Sequence, residues 1–468
     1  MIAMTIAEIA EATGAQLLRA PEPGTVITGL THTDSRDVRP GDVFVCKPGE
    51  FTDGHLYAPT ALEAGAALLI VDHELDLDVP QLLVDDVVIA LGAFATEVVA
   101  RVRALGKLKI VGVTGSNGKT TTKNLLRTIL QEVGQTIAPR ASFNNEVGAP
   151  LTMLELTEDT EFLVAEMGAS GIGEIAKLVA MAKPDIGVVL SVGLAHAGEF
   201  GGIEATVTAK TEMVSDLTAA DVAVLNADDH RVAGMAAATA ASIVWFGLGP
   251  NAAVRAADVH ADATGTSFTL TLASGESRPV RFRVLGEHHV MNALAAAAVA
   301  ESLGVDIDGI VSALESVELA ERWRMQVLGG RDGVTIINDA YNASPDSMAA
   351  ALKTLAQIRT PGQRTIAVLG EMSELGEFSG EEHDRIGLLA VRLNISQLLV
   401  VGQNARRMHI STINQGSFDG ESHIVDDADE AFELLKNMIQ PGDLVLVKSS
   451  NSAGLRFLGD QLGELFSW

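Results

Sequence analysis

A three-unit α/β protein built on mostly parallel sheets is predicted by two features of the chain. Its 468 residues exceed what one core comfortably holds, at roughly 150 residues per domain. Short apolar runs that close on glycine or a polar residue alternate with stretches of helical periodicity, the pattern of strands covered by helices on both faces. The first unit, 1–107, carries DVFVCKP and AALLIVD among Gly, Asp and Pro turns and reads as a small α/β module. The second, 108–321, opens with KIVGVTG and then TTKNLLRTILQEV, where Leu125, Leu126, Ile129 and Leu130 recur at helical spacing. FLVAEMG, DIGVVLSVG, DVAVLNAD and SIVWFG follow as buried strands, and TSFTLTLASGESRPVRFRV alternates like an antiparallel hairpin. HHVMNALAAAAVAESLG is an Ala-rich helix with Gly304 as its stop. The third unit, 322–468, repeats the pattern in a Rossmann-like way with GVTIINDA, RTIAVLG, QLLVVG and DLVLVKSS.

In open parallel sheets ligands gather beyond the carboxyl ends of strands. Those ends supply Gly115 to Lys119, Glu166, Gly193 to His196, Asn226 to Asp228, Asp339, Gly402 and Lys448. They belong to two units, so the expected site is a cleft between them.

Composition narrows the partners. With 33 Lys and Arg against 61 Asp and Glu, the net charge of −28 argues against nucleic acid as a main partner. No apolar run approaches the ~20 residues of a membrane helix, and MIAMTIAEIAEATGA lacks the basic start of a signal peptide. The lone Cys46 permits no intramolecular disulfide. A cytoplasmic protein without membrane insertion is expected, acting as a monomer.

The segment GVTGSNGKTTT, 112–122, departs from the G-x-x-x-x-G-K-[ST] spelling of a phosphate loop, because Val113 stands where the first glycine belongs. Its context is right, between a strand and a helix. Gly115 and Gly118 permit tight turns, and the backbone N–H groups of Ser116, Asn117 and Thr121 face an anion. Lys119 adds a point charge, and Thr120 offers a hydroxyl to Mg²⁺. ATP and Mg²⁺ are the ligands such a cradle takes.

TGSNGKTT is similar to the ATP loop of the Mur ligase family, which dispenses with that first glycine. The loop alone leaves several ligases open, folylpolyglutamate synthase among them. Further segments run in the family's order: SFNNEVGAPLTML (142–154), EMGASGIGEIA (166–176), SVGLAHAGEFGGIEATVTAKTEM (191–213), LGEHHVMNALAA (285–296), NDAYNASPDSM (338–348) and VLGEMSELG (368–376). DSRDVRPGDVFVCKPGE (34–50) with Asp53-Gly54-His55 resembles the family's uridine-diphosphate-binding domain. Asn144-Asn145 and D-A-Y-N-x-x-P-D-S-M resemble the members that add D-Ala-D-Ala to UDP-N-acetylmuramoyl-tripeptide. The alternatives are the sister ligase that adds the third, diamino residue, which usually shows D-Y-A-H-T-P, and a nucleotide-binding protein without catalysis.

The resemblance implies ATP-driven amide formation through an acyl phosphate, in peptidoglycan precursor synthesis. It implies that Lys119, His196, Lys210 and Arg324 serve catalysis, with Lys210 carbamylated. Thr120, Glu166 and His196 would hold metal. His288 and Asn292 would meet the adenine, Arg324 the phosphates and Asp339 the ribose. Ser35, Arg36, Asn144, Asn145, Tyr341, Asn342 and Lys448 would contact the other substrates. The chain departs from the common pattern at Ser170-Gly171, where many members have Asn-His, and at His289, where asparagine is frequent.

Overall fold

Each apolar run singled out in the sequence is a strand. The structure, a computed structural model, describes residues 1–468 apart from 21, 50, 51, 141, 195–200, 320, 417 and 468. In the first unit a five-stranded sheet takes the order Gln16–Leu18, Gln81–Leu83, Leu68–Val71, Val43–Val45, Thr31–His32, with only the first pair antiparallel.

The middle unit holds nine strands: Ser277–Phe282, Gly265–Thr271, Val254–Asp262, Ser242–Gly247, Val222–Asn226, Ile186–Val189, Lys109–Thr114, Phe162–Glu166 and Thr136–Ile137, in that order. The expected hairpin is present, with Thr271 opposite Ser277. Val254–Asp262 joins the hairpin antiparallel, while the strands from Ser242–Gly247 to Thr136–Ile137 are all parallel, with side chains alternating between two faces of the sheet. Val111, Val113, Val164, Val188 and Val224 pack beneath the helices Lys119–Gln131 and Glu287–Ser302. Ile110, Leu163, Val189 and Leu225 pack on the opposite face with Val98, Leu178 and Met213. The Ala-rich helix stops at Ser302, and Gly304 adopts φ +86° just beyond it.

The third unit has six strands ordered Gln326–Gly329, Thr335–Asn338, Leu444–Lys448, Thr365–Leu369, Gln397–Val401, Glu421–Val425, antiparallel only at the first pair.

The first two units share a core. Met1, Ile2 and Met4 join one apolar cluster with Leu154, Leu156 and Met167, and the Ile2 N–H donates to the Leu156 carbonyl at 2.7 Å. The link into the third unit is different. Trp323 (φ 59°) and Met325 (φ 49°) both take the left-handed conformation, uncommon for residues with a Cβ. Asp460 accepts from the Trp323 indole at 2.9 Å, and Asp339 accepts the Met325 N–H at 3.0 Å, so the turn is held from both sides. Among the described residues, no helix is long and apolar enough to cross a membrane.

Candidate functional site

The parallel register decides what stands beside the glycine loop. The strand Lys109–Thr114 runs into Gly115, and its neighbours end abreast of it: Glu166 pairs with Val113, and Val189 with Thr114. Gly118 sits at φ +86° immediately before the helix Lys119–Gln131, and a Cβ there would collide with Asn292 Oδ1. A Cβ on Gly115 would come within 2.9 Å of Leu190 Cβ. The short glycine spacing therefore works because both glycines are pressed against neighbours, and Val113 needs no freedom since it lies inside the strand. Lys119 Nζ folds back to donate to the Gly115 carbonyl at 2.7 Å. Burial, reinforced by the Arg324 cation, pushes its pKa down, with Glu166 opposing. Bound phosphate oxygens would reverse that shift.

Glu166 is fully buried at its strand end. Asn144 donates to its Oε1 at 2.8 Å, while Oε2 has no hydrogen-bond partner among the described residues. A buried carboxylate oxygen without a donor is costly, and a cation is the group that relieves it. A hard divalent ion fits the oxygen set of Glu166 and the nearby Thr120 hydroxyl. Thr120 Oγ1 is 3.1 Å from Ser142 Oγ, which is 3.1 Å from Tyr341 Oη, so this relay already crosses the cleft.

The facing wall comes from the third unit. Arg324 reaches Thr120 Oγ1 at 3.4 Å, lies over the Tyr341 ring at 4.5 Å and leaves its buried Nε without a partner among the described residues. Ser344 donates to Asn117 Oδ1 at 2.9 Å. Lys448 is 2% exposed and spends its ammonium on Asp339 Oδ2 (2.7 Å), the Asp339 carbonyl (3.3 Å) and the Asn342 carbonyl (3.0 Å). Its ammonium donates within its own unit and so fixes Asp339 at the cavity wall. Asp339 keeps lone pairs free for a sugar hydroxyl. His288 lies within the influence of this pair; burial pushes its pKa down to about 4, with Lys448 helping and Asp339 opposing. His289, buried beside Asn292 at 3.4 Å, is held well below the usual histidine range by burial first and by the neighbouring His288, Arg324 and Lys448.

One cavity of about 900 Å³ collects these groups: Ser116 to Thr121, Asn144, Glu166, His288, Asn292, Arg324, Asp339, Tyr341, Asn342 and Lys448 all line it. Several expected residues do not. Asn145 turns its Oδ1 onto the N–H groups of Val147 and Gly148. Arg36 is exposed and clasps Asp34, and Ser35 lies beside it in the first unit. Gly402 follows the strand Gln397–Val401, one in from the sheet edge with a full strand between it and Lys448, and is not among the lining residues. Lys210 is buried behind the cavity, near enough to Lys119 for the two cations to repel. His196 lies outside the described residues.

Sequence reasoning missed Lys123. It is fully buried one helical turn beyond Lys119, and its Nζ donates to the Pro139 carbonyl at 2.7 Å. That bond pins the start of the segment carrying Ser142 and Asn144. Its side-chain neighbours at helical spacing, Lys119, Thr120, Leu126 and Arg127, are mostly polar, so nothing in the sequence signalled its burial. The N–H groups of Ser116 and Asn117 do not face an anion as expected: they point at the Ser191 carbonyl (2.9 Å) and hydroxyl (3.4 Å), because the strand Ile186–Val189 ends alongside the loop. Chemically, the Lys119 and Arg324 cations and the start of the helix Lys119–Gln131 stand beside an unsatisfied carboxylate oxygen, an arrangement suited to phosphoryl transfer.

Comparison with known proteins gives three family matches along the chain: the Mur ligase family catalytic domain over 27–108, the Mur ligase middle domain over 113–300, and the Mur ligase glutamate ligase domain over 323–451. UDP-N-acetylmuramoyl-tripeptide–D-alanyl-D-alanine ligase of Mycobacterium tuberculosis (strain H37Rv) is 41% identical, covering 99% of this chain and 98% of its own. The protein of that name from Escherichia coli K12 is 34% identical over 97% of each. Among solved structures, a crystal structure of MurF from Acinetobacter baumannii superposes with TM-score 0.88 at 31% identity, covering 99% of both chains. MurF from Thermotoga maritima, in complex with ADP, superposes at 0.79 with 27% identity, covering 93% of this chain and 97% of its own.

Proposed function

The chain belongs to the Mur ligase family and is an ATP-dependent ligase forming a C–N bond; on that premise we propose that it joins D-Ala-D-Ala to UDP-N-acetylmuramoyl-tripeptide, in the cytoplasm, during peptidoglycan precursor synthesis. The observation that carries this reading is the meeting of Lys119, Glu166 and Arg324 around one cavity, in a chain matched from end to end by ligases named for that reaction. The unit 1–107 then binds the uridine nucleotide and 108–321 binds ATP, and 322–468 is the ligase unit that closes the cleft from the other side.

The tripeptide carboxylate attacks the γ-phosphorus of ATP, the bond to the β-phosphate oxygen breaks, and ADP leaves an acyl phosphate. The amine of D-Ala-D-Ala then attacks the acyl carbon, loses a proton and expels phosphate. Two anions must approach in the first step, so Lys119 and Arg324 offset their charge from opposite walls. Backbone N–H groups in the first turn of the helix Lys119–Gln131 hold the β- and γ-phosphates still. Asp339, fixed by Lys448, receives the ribose, and Asn292 with His288 receives the adenine. Both histidines are neutral near pH 7, so the purine edge meets no extra charge. Glu166 and Thr120, with His196, would hold Mg²⁺, which when bound supplies charge neutralisation to the phosphates. Asn144, already on Glu166, joins Tyr341 and Asn342 in holding the muramoyl peptide, with Asn145 shaping the turn that presents it, and Ser35 and Arg36 contact the uridine nucleotide.

Incubation with UDP-N-acetylmuramoyl-tripeptide, ATP, Mg²⁺ and D-Ala-D-Ala should release phosphate in step with amide product. Release only with the dipeptide precursor and a free diamino acid would assign the sister reaction instead. Lys123→Met should raise KM for the UDP-linked peptide by roughly tenfold while KM for ATP holds, because the bond to Pro139 braces the Asn144 segment. Titrating each substrate in turn checks this; an equal rise in both constants would count against it.

A further inference from the structure

Away from the cleft, three donor atoms converge on the first unit at residues with no part in the reaction above. His55 lies in the 3-10 turn Gly54–Tyr57, while Asp72 and His73 follow the strand Leu68–Val71. One ligand atom from each lies within 4.8 Å of the other two. Asp72 Oδ1 is 3.2 Å from His55 Nε2 and 2.6 Å from His73 Nδ1, and the imidazole centroids are 4.2 Å apart.

A second carboxylate stands behind the cluster. Asp53 Oδ1 takes the His55 backbone N–H at 3.0 Å and lies 2.7 Å from His55 Nδ1. Nδ1 therefore carries the proton, and Nε2 turns its lone pair toward Asp72 and His73. The Asp72 backbone N–H also points at Nε2, at 3.3 Å, which argues against a proton there and is too long for a strong hydrogen bond. A carboxylate behind one ring nitrogen, fixing the tautomer and sharpening the other, is the usual support of a metal-ligating histidine. Access is also provided: the His55 side chain is 3% exposed and rigidly seated, whereas Asp72 and His73 are 32% and 56% exposed.

We propose that His55 Nε2, Asp72 Oδ1 and His73 Nδ1 bind one divalent transition-metal ion, zinc or nickel in character, with water completing its shell. Two imidazoles and one carboxylate favour such borderline ions over magnesium or calcium, which prefer oxygen alone. The ion would tie the 3-10 turn to the end of the strand Leu68–Val71 and so brace the segment between Cys46 and His55.

The test uses the full-length, chelator-treated protein with saturating Mg²⁺ and ATP, so that the cleft is filled before zinc is added. Calorimetric titration should show one zinc per chain, and the melting temperature should rise with zinc but not with further Mg²⁺. His73→Ala, Asp72→Asn and the supporting Asp53→Asn should each weaken binding by about tenfold or more and abolish the thermal shift. His423→Ala, an exposed histidine elsewhere, should change neither. Cobalt soaked into the same protein should give visible absorption bands that His73→Ala removes. Absence of stoichiometric binding, or equal binding by His73→Ala, overturns the proposal. The ligase assay is independent of it, since His73 has no part in the reaction and its alanine variant should turn over normally.

Discussion

Replacing Lys119 with alanine is expected to lower kcat by about 10³-fold while the protein stays folded. Charge-stabilising donors aimed at a transferring group are each worth about 10²–10³ in rate, and in the proposed mechanism Lys119 would both donate to the phosphates and face the incoming carboxylate. Its loss should spare the fold, because its ammonium donates to the Gly115 carbonyl within the same loop and the helix beyond it is anchored by Leu125, Leu126, Ile129 and Leu130. Phosphate-release kinetics beside thermal melting checks both halves. A variant retaining a tenth or more of the turnover would remove Lys119 from the chemistry.

Lys210→Ala should cost about 10²–10³-fold in turnover, part of it recoverable with acetate or formate. The Lys210 amine is pushed down to about 7, by burial first and then by the Lys119 cation, with Glu212 pulling the other way. Glu212 is itself occupied in accepting the N–H groups of Gly173 (2.6 Å) and Ala176 (2.9 Å). A lysine depressed to this range is largely neutral above pH 7, and only the neutral amine adds carbon dioxide to form a carbamate. The sign follows: as pH falls through about 7 the amine protonates, and a carbamate-dependent activity should fall with it. In carbon dioxide-depleted buffer, wild-type turnover should therefore respond to added bicarbonate. Full activity in Lys210→Ala without any added acid would refute a carbamate.

The phosphate loop was legible because its chemistry is local: glycines, lysine and threonine act within one turn of chain. Glu166 was legible for a related reason, since a carboxylate closing an apolar run lands at a strand end, and parallel register puts it beside the loop. What escaped was set by long-range packing. Nothing in DLVLVKSS says that Lys448 would spend its donors on Asp339 and Asn342, or that Gly402 would fall a full strand away from it. The left-handed turn through Trp323 and Met325 carries no glycine to announce it. Asn145 has the right type for a ligand, yet amides serve turns equally well, and here it caps the backbone at Val147 and Gly148.

The continuous grease between the first unit and the middle one has a mechanical implication. Prising those two apart would wet a large apolar seam, so they should travel and melt as a single body. The third lobe meets the phosphate loop through hydroxyls, an amide and a guanidinium, all of which water can replace, and its apolar share of the middle unit is small, with Leu285 in its core and Ala261 packed against it. Any breathing that lets nucleotide in and product out belongs at that hydrophilic joint, with the pair of kinked backbone positions around Arg324 as its axle.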